Sequence, residues 1–381
     1  MIKITDVKIQ ILKIERPIAE IAEVPDRRKG TRFIHRMTDK RKSCYLPFIK
    51  VLTDVGVEGN SMGFWWVAGR GQAETILSTY KSLLLNEDPL NRERIWRKLW
   101  KANRLNNSPQ TILGPIDVAI WDLIGKYLGQ PVYKLLGGYR SKVQAYGNSG
   151  LNITPEDYKE VLKRRKEQGF KAYKLTTQHE PKQAIQICEE TREEAGDDME
   201  LMYDAVESFD YQEALRVGKV LEELDYYWFE EPVQDYDLYN LVRLREKLSI
   251  PICGTEVVEG SHYLTVEYLI RGAVDIVRSD VLLKGGISGV MKTANLCDSF
   301  GVNCEIHASH NPALEFANLH AVCAIHNCDF YEVWGGGDWR DFGVKNSLQI
   351  DREGYIHVPQ KPGLGMELDW DRIENMTVGE M

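Results

Sequence analysis

The segment 200-ELMYDAVESFDYQEALRVGKVLEELDYYWFEEP-232 decides the fold. Its two ends, ELMYDAV and YYWFEEP, are short apolar runs typical of buried strands, and a helix-like stretch separates them. Strand, helix and strand at this spacing indicate a parallel βα unit. Acidic residues, Asp204 and Glu230, stand where the two strands end.

The same unit recurs along the chain from about residue 143. Short apolar strands alternate there with amphipathic helices, and parallel strands need crossover helices of this kind. The strand candidates are QAYGNSG, KAYKLTT, ELMYDAV, YYWFEEP, PICGTE, DIVRSD, VNCEIH and FYEVW. Eight strands in this pattern predict a parallel βα barrel.

The chain before residue 140 has a different organisation. Strand-like runs at about 2–14 and 45–53 precede helical patterns from about 72 to 103 and the helix-like GPIDVAIWDLIGKYLG, which Gly129 and Pro131 stop. Strands followed by helices favour an α+β domain. We therefore predict an N-terminal α+β domain at 1–140, a barrel at 141–340 and a C-terminal segment at 341–381.

Composition excludes several functional classes. The chain has 381 residues and a net charge of −9, which opposes general binding to nucleic acid. The sequence shows no apolar run long enough to span a bilayer, and its first residues do not resemble a signal peptide. Seven cysteines without a CxxC pair predict buried thiols in a reducing compartment, and hence a cytoplasmic protein.

Ionisable residues end seven of the eight predicted strands, 24 to 30 residues apart: Lys174, Asp204, Glu230, Glu256, Asp280, His307 and Glu332. Any one of them alone would be interpreted as an exposed or capping charge. Because βα barrels place their chemistry at the C-terminal ends of the strands, the whole series predicts an active site there.

Three of these residues, Asp204, Glu230 and Glu256, come from adjacent strands. Carboxylates that converge on one point repel one another, so the pattern implies a cation. An all-oxygen ligand set favours Mg²⁺ over Zn²⁺. Glu231, next to Glu230, should point away by strand alternation and is interpreted as a supporting or structural acid.

Asp280 and His307 end neighbouring strands. A carboxylate bonded to one imidazole nitrogen fixes the tautomer and raises the basicity of the other nitrogen, as a general base requires. The alternatives are that His307 is a buried structural histidine, or that His310 in the following loop is the base. Glu332 either hydrogen-bonds a substrate oxygen or supports a neighbouring base.

With these motifs the chain resembles the enolase superfamily, specifically its mandelate racemase subgroup. The resemblance rests on GPIDVAIWDLIGKYLGQPVYKLLGG, KLT, DA at Asp204, WFEEP, GTE, SDVLLKGGISG, EIH and KPGLGMELD. It implies a modified (β/α)7β TIM barrel whose N-terminal α+β capping domain is completed by the C-terminal segment. It also implies a homo-oligomer, either a dimer or an octamer.

The resemblance also implies residue roles. Asp204, Glu230 and Glu256 match the Mg²⁺ ligands, and Asp280 with His307 matches a dyad in which the histidine is the base. Lys174 matches the first lysine of a KxK motif. Thr176 departs from that motif, because the family often has a second catalytic lysine at this position.

The family's shared chemistry is abstraction of a proton α to a carboxylate, giving an enediolate. Racemisation needs a base on each face of the α-carbon, and Thr176 cannot be one of them. Dehydration needs one histidine that takes the proton and returns it to the leaving hydroxyl. We therefore expect a Mg²⁺-dependent dehydratase of a small acid-sugar carboxylate, with Thr176 and His310 in contact with substrate.

Four alternatives remain open. They are a racemase or epimerase of 2-hydroxy acids, a non-catalytic metal- and carboxylate-binding member, a cycloisomerase using Lys284, and an unrelated barrel lyase using Lys174 as a Schiff base.

Two further stretches are expected to be substrate-facing loops of the capping domain. Residues 25–42, PDRRKGTRFIHRMTDKRK, hold eight Lys or Arg residues that could attract an anionic substrate, or could simply be solvated or contact another subunit. Residues 61–71 include Trp65 and Trp66, which could wall a pocket or pack the domain interface.

Overall fold

The computed structural model of the chain describes residues 2–26, 29–64, 69–106, 108–151, 155–334 and 341–381. An antiparallel sheet has the strand order β13-β1-β2-β3. Its strands are β1 (Ile4–Asp26), β2 (Gly30–Thr53), β3 (Glu58–Met62) and β13 (Thr377–Glu380). The sheet therefore combines the beginning of the described chain with its last strand.

Helices of the N-terminal region follow this sheet in sequence. They are α1 (Gly69–Thr75), a π-helical turn (Ile76–Tyr80), α2 (Lys81–Leu84), α3 (Arg92–Asn106), α4 (Gln110–Leu128) and α5 (Val132–Leu135). Helix α4 ends where the sequence predicts, because Gly129 adopts the left-handed conformation (φ 65°) that closes a helix C-terminus.

Parallel strands form a closed barrel. The strands are β4 (Lys142–Asn148), β5 (Ala172–Thr176), β6 (Glu200–Asp204), β7 (Trp228–Glu230), β8 (Ile252–Gly254), β9 (Ile276–Ser279), β10 (Asn303–Ile306) and β11 (Phe330–Val333). Each pairs with the next, and β11 pairs with β4 to close the ring. The predicted (β/α)7β barrel with a capping sheet is confirmed, and each strand candidate overlaps one of these strands.

One helix follows each strand from β4 to β10. These helices are α6 (Pro155–Glu167), α7 (Pro181–Ala195), α8 (Tyr211–Glu223), α9 (Leu238–Arg245), α10 (His262–Arg271), α11 (Gly286–Ser299) and α12 (Pro312–Ala324). Beyond the barrel, β12 (Tyr355–His357) pairs antiparallel with β4, and α13 (Trp370–Met376) precedes β13. The C-terminal segment thus contributes to both sheets, while the domain boundaries at 140 and 340 stay predictions.

Strand alternation separates two cores around the barrel wall. On β5, Tyr173 and Leu175 belong to the large cluster shared with the surrounding helices, whereas Ala172 faces the barrel interior. The interior is filled by side chains including Tyr146, Met202, Trp228, Cys253, Ile276 and Phe330. A third cluster lies between the capping sheet and its helices. The barrel is therefore a packed core with its free space at one end.

Helix α4 joins the capping sheet to the barrel. A Cβ at Gly114 would lie 2.5 Å from the carbonyl oxygen of Val281, so only glycine permits this approach to the loop after β9. Nearby, Asp117 accepts hydrogen bonds from the Ser288 N–H (2.8 Å) and hydroxyl (2.7 Å). This contact fixes the capping region next to the loop that carries Asp280.

The arms of a long β1–β2 hairpin include most of the basic stretch at 25–42. The pairing runs from Ile4 opposite Thr53 out to Asp26 opposite Gly30. The prediction of a loop at 25–42 is therefore wrong for its described residues. The chain here is polar because these arms project beyond the core, not because they lack regular structure. Trp65 and Trp66 lie outside the described residues.

All seven cysteines are free thiols, and six of them are buried, as the sequence predicts. In the described part of the chain we find no helix that combines the length and apolar character of a membrane span.

His320 on α12 provides a pH-sensitive contact within the fold. Its Nδ1 accepts from the Tyr133 N–H (3.0 Å), so the proton on Nε2 is donated to the Leu364 carbonyl (3.1 Å). Burial lowers the pKa of His320 to about 4. Since the unfolded pKa is near 6.5, we expect the free energy of unfolding to fall by on the order of 3 kcal/mol as pH drops from 6.5 to 4.

Urea unfolding of the wild type and of His320→Gln at pH 7, 5.5 and 4.5 measures this effect. Glutamine can accept and donate at the same two positions without titrating, so its stability should fall less steeply with pH. If the free energy of unfolding fell equally with pH in the two proteins, this role of His320 would be contradicted.

Candidate active site

The residues predicted from the strand ends lie together at one end of the barrel. Lys174, Asp204, Glu230 and Glu332 are on strands, and Glu256, Asp280 and His307 follow the last residues of β8, β9 and β10. The ladder places Thr176 opposite Asp204, and Asp204 opposite Glu230. The strand-end positions therefore meet in space as the sequence indicates.

Lys174 is a buried cation surrounded by carboxylates. Its Nζ lies 3.2 Å from Asp204 Oδ2, 3.0 Å from Glu230 Oε1 and 3.2 Å from Glu332 Oε1. Burial disfavours its charge, but Glu230 and Glu332 outweigh burial and raise the pKa of Lys174 well above its usual value. Lys174 therefore stays protonated, which counts against a Schiff-base role requiring a neutral amine.

Arg278 on β9 is a second buried cation that sequence reasoning missed. Its Nε lies 2.9 Å from Glu230 Oε1 and 3.7 Å from Glu256 Oε2, and one terminal nitrogen lies 2.7 Å from Glu332 Oε2. Strand alternation was the available signal, because Arg278 sits two residues before Asp280 and shares its face. Arg278 and Lys174 together connect four of the strand-end carboxylates in one network of ion pairs.

His307 and Asp280 form the predicted pair. His307 Nδ1 lies 3.1 Å from Asp280 Oδ2, and because a carboxylate only accepts, Nδ1 carries the proton. Asp280 also accepts from the Ser309 hydroxyl (2.6 Å) and the Leu282 N–H. The other imidazole nitrogen, Nε2, lies 3.6 Å from Glu256 Oε1 and 4.0 Å from Glu332 Oε2.

The charge of His307 depends on the carboxylates around it. Burial lowers its pKa, but Glu256 and then the hydrogen bond to Asp280 outweigh burial and raise the pKa to about 9. Glu256 is the stronger of these influences, so any change that neutralises Glu256 also makes His307 a more available base.

Glu332 is a charge partner of the cations. It accepts from the Asn148 side-chain amide (2.8 Å) and the Ala308 N–H (3.0 Å) besides contacting Lys174 and Arg278. Burial opposes its charge, but Lys174 and Arg278 lower its pKa well below the usual range. Its two predicted roles, contact with a substrate oxygen and support of a neighbouring base, stay predictions.

Of the three acidic residues predicted as metal ligands, Asp204 and Glu256 are short of positive charge. Burial, reinforced by Glu230 and Glu256, raises the pKa of Asp204 to about 7 although Lys174 lowers it. Burial also raises the pKa of Glu256, whereas Arg278 and Lys174 overcome burial at Glu230 and lower its pKa. As they stand, the described His, Cys, Asp and Glu side chains form no group of three in metal-binding geometry. The donor chemistry nevertheless fits a hard divalent cation, since all three are carboxylates whose mutual repulsion such an ion relieves.

A cavity of about 450 Å³ opens over these groups. Thr176 and His310, predicted to contact substrate, both line it, as do Lys174, Asp204, Glu256 and His307. The Thr176 hydroxyl lies 3.4 Å from Asn148 Oδ1, and the His310 ring packs edge-on against Trp334. The remaining lining residues are Ala19, His35, Leu151, Val206, Glu207, Glu231, Val257 and Trp334.

Ala19 and His35 reach this cavity from the β1–β2 hairpin, which the barrel anchors. Arg32 pairs with Asp26 (3.0 Å) and with Glu213 at the start of α8 (3.1 Å). The His35 N–H donates to the Gln178 side chain. The hairpin therefore forms a roof over the barrel mouth, held by the loop after β5 and by the first turn of α8.

Lys284, considered for cycloisomerase chemistry, is turned away from the reacting groups. It is buried, burial lowers its pKa to about 8, and its ammonium donates to three main-chain carbonyls of residues 255–258. Among the described residues, the cavity lining does not include it.

Comparisons with known proteins agree with this geometry. The family model for the mandelate racemase / muconate lactonizing enzyme N-terminal domain matches residues 20–137, and the enolase C-terminal domain-like model matches 157–372. Arabinonate dehydratase of Saccharolobus solfataricus is 35% identical over 298 residues, covering 76% of this chain and 79% of that protein. D-galactarolactone cycloisomerase of Agrobacterium fabrum is 28% identical over 363 residues, covering 89% and 95%.

A solved structure is similar over nearly the whole chain. The crystal structure of D-glucarate dehydratase from Agrobacterium tumefaciens, complexed with magnesium, superposes with a TM-score of 0.87 and 32% identity. The match covers 99% of both chains.

Proposed function

The chain belongs to the mandelate racemase / muconate lactonizing enzyme family, and from this membership we propose that it is a Mg²⁺-dependent acid-sugar dehydratase. This hydro-lyase converts an aldonate or a related polyhydroxy acid into a 2-keto-3-deoxy acid. Relatives and structural neighbours that are themselves acid-sugar dehydratases, including the D-glucarate dehydratase structure that contains magnesium, support the assignment. A dimeric or octameric assembly and a cytoplasmic location stay predictions.

The observation that carries the proposal is the His307–Asp280 pair, whose histidine lines the same cavity as Thr176. A second base on the other face of the substrate would favour racemisation, and a threonine cannot supply one at neutral pH. Lys174, the nearest amine, is held between three carboxylates. One base that both takes and returns a proton suits elimination of water.

The positions of these groups support the following course of reaction. With the substrate carboxylate near Lys174, Nε2 of His307 takes the proton from the α-carbon, and Asp280 holds Nδ1–H and stabilises the imidazolium. His307 then returns that proton to the β-hydroxyl, which leaves as water as the C–O bond breaks. The resulting enol tautomerises to the 2-keto-3-deoxy acid.

Asp204, Glu230 and Glu256 would hold Mg²⁺, which supplies concentrated positive charge for the developing enediolate and offsets the Glu256 charge that raises the pKa of His307. Lys174 and Arg278 remain as fixed cations, and Glu332 keeps both of them in place.

The cavity also favours one class of acid sugar. Of the described residues in its lining, Lys174 is the one Lys or Arg, and the lining contributed by Ala19, Leu151, Val206 and Val257 is apolar. The second carboxylate of a diacid sugar would lose its hydration against these apolar side chains. We therefore infer that monocarboxylic aldonates are preferred over aldarates.

A screen of aldonates and the matching aldarates with Mg²⁺, assayed for 2-keto-3-deoxy acid, tests both the dehydratase reaction and the preference for aldonates. We expect kcat/KM for the best aldonate to exceed that of its aldarate by at least ~10-fold, since an uncompensated buried charge costs more than 1.4 kcal/mol. Turnover of aldarates alone would contradict the inferred substrate class.

Running the screen in D₂O distinguishes the competing functions. Solvent deuterium at C2 without loss of water would indicate a racemase or epimerase. Absence of both exchange and turnover for every acid that binds would indicate a non-catalytic member.

A further inference from the structure

The residue predicted as the third metal ligand, Glu256, lacks the anchoring that the other two have. Asp204 and Glu230 are the last residues of β6 and β7 and pair with each other in the sheet. Glu256 lies two residues beyond the end of β8, in a loop. Since three converging carboxylates repel one another, a ligand on an unsupported loop would move outward.

The backbone at this loop is strained. Thr255, directly before Glu256, has φ of +80°, a conformation that a β-branched side chain rarely adopts. Such a conformation persists only where the surrounding structure holds it in place. The structure therefore has to supply restraints around residues 255–258.

Lys284 restrains the loop from one side. This buried residue follows β9, and its Nζ donates to the carbonyl oxygens of Thr255 (2.6 Å), Glu256 (3.1 Å) and Val258 (2.7 Å). An ammonium group has three N–H donors, and all three are used on this one loop.

Asp235 restrains the same loop through its N–H groups. This buried residue lies in the loop after β7, and its Oδ1 accepts from the Thr255 N–H (2.8 Å) while Oδ2 accepts from the Val257 N–H (3.3 Å). The two bonds bracket Glu256. The backbone N–H of Asp235 donates to Glu207 Oε1 (2.8 Å), so a residue of the loop after β6 holds Asp235 in place.

We propose that Asp235 and Lys284 are positioning residues that clamp the backbone of residues 255–258 and thereby place the Glu256 carboxylate to join Asp204 and Glu230 in binding the metal. Five main-chain groups of the loop are held by two buried side chains from the neighbouring βα loops, Asp235 as the acceptor and Lys284 as the donor. Neither residue is in the described lining of the cavity. The clamp replaces, for Glu256, the sheet pairing that fixes the other two carboxylates. This inference rests on the proposed metal-dependent function.

The test compares Lys284→Met and Asp235→Asn with a matched control. Methionine keeps the length of Lys284 but removes all three donors, and asparagine keeps the shape of Asp235 but can accept only one of the two N–H groups. The control is Arg192→Met, which removes a cation bonded to the carbonyls of Gly196, Met199, Leu224 and Asp225 at the opposite end of the barrel.

The primary measurement is Mn²⁺ affinity, by electron paramagnetic resonance, of folded protein without substrate. We expect Mn²⁺ binding to weaken by ~10- to 100-fold in both clamp variants and to stay at the wild-type value in Arg192→Met, although all three lose thermal stability. The activation constant for Mg²⁺ in turnover should rise by the same factor.

If both Lys284→Met and Asp235→Asn bound Mn²⁺ with wild-type affinity, the proposed positioning role would be overturned. If Lys284→Met fails to fold, Asp235→Asn decides. Weakened Mn²⁺ binding without turnover of any acid sugar would overturn the proposed reaction while supporting the clamp, and absence of Mn²⁺ binding to the wild type would overturn both.

Discussion

Replacing His307 with asparagine should lower kcat for acid-sugar dehydration by ~10²- to 10⁴-fold, the usual contribution of a general acid–base residue. The asparagine amide can stand near the position of Nδ1 and donate to Asp280, but nothing replaces Nε2 as a base. Steady-state kinetics would show the loss. Deuterium exchange at C2 in D₂O should disappear with it, because proton abstraction itself is prevented.

Mn²⁺ affinity should survive His307→Asn, since the three carboxylates remain. His310→Asn is the matched control, because the two imidazole rings are 5.5 Å apart and asparagine accepts the left-handed backbone of His310 (φ 58°). We expect this control to raise KM more than it lowers kcat. A larger kcat loss in His310→Asn than in His307→Asn would reassign the base to His310.

Replacing Arg278 with methionine should destabilise the protein by about 3–5 kcal/mol, because removal of one partner from a buried ion network leaves unpaired charge. Glu230 and Glu332 would each lose a close cation. Differential scanning calorimetry and urea unfolding would measure the loss, and Arg278→Lys, which keeps the charge but not the forked geometry, should fall between methionine and the wild type.

The effect of Arg278→Met should depend on pH in a defined direction. The folded pKa of Glu332 lies well below its ordinary value, so its ion pairs stabilise the protein above about pH 4.5. That stabilisation is lost as pH falls through the lower folded pKa. The difference in free energy of unfolding between the wild type and Arg278→Met should therefore be largest above about pH 5 and become smaller at lower pH. A difference that is independent of pH would contradict this account.

The barrel and most of the candidate site could be predicted from the sequence for one physical reason. Parallel strands joined by helices end at the same rim, so the positions of Asp204, Glu230 and Asp280 along the chain translate directly into neighbours in space. The alternation rule also explains why Lys174 faces inward. These inferences need only periodicity and spacing.

Two features were missed because they depend on contacts between distant segments. The β1–β2 hairpin lacks a clear apolar alternation, since Ile21 and Phe33 on its arms are exposed and its polar groups contact loops rather than a core. Arg278 was hidden inside the apolar run DIVRSD. A lone arginine in the middle of a buried strand was a signal, because burying it requires several partners.

The role of Lys284 could not have been predicted from its neighbours in sequence at all. Its partners are main-chain carbonyl oxygens about 28 residues earlier. Every residue has such a carbonyl group, so the sequence does not show which ones accept a hydrogen bond. Residues that act on backbone rather than on side chains are therefore found only in three dimensions.

The pairing of β1 with β13 sets an order of events during biosynthesis. Gln10 and Glu380 are register partners separated by 370 residues, whereas each barrel strand from β5 to β11 pairs with the strand made one βα unit earlier. At ~5–20 residues per second, the edge strand of the capping sheet leaves the ribosome roughly 20–75 s after β1. During that interval the barrel strands are made and can pair, while the β13-facing edge of β1 stays unpaired and exposed to chaperones and to aggregation.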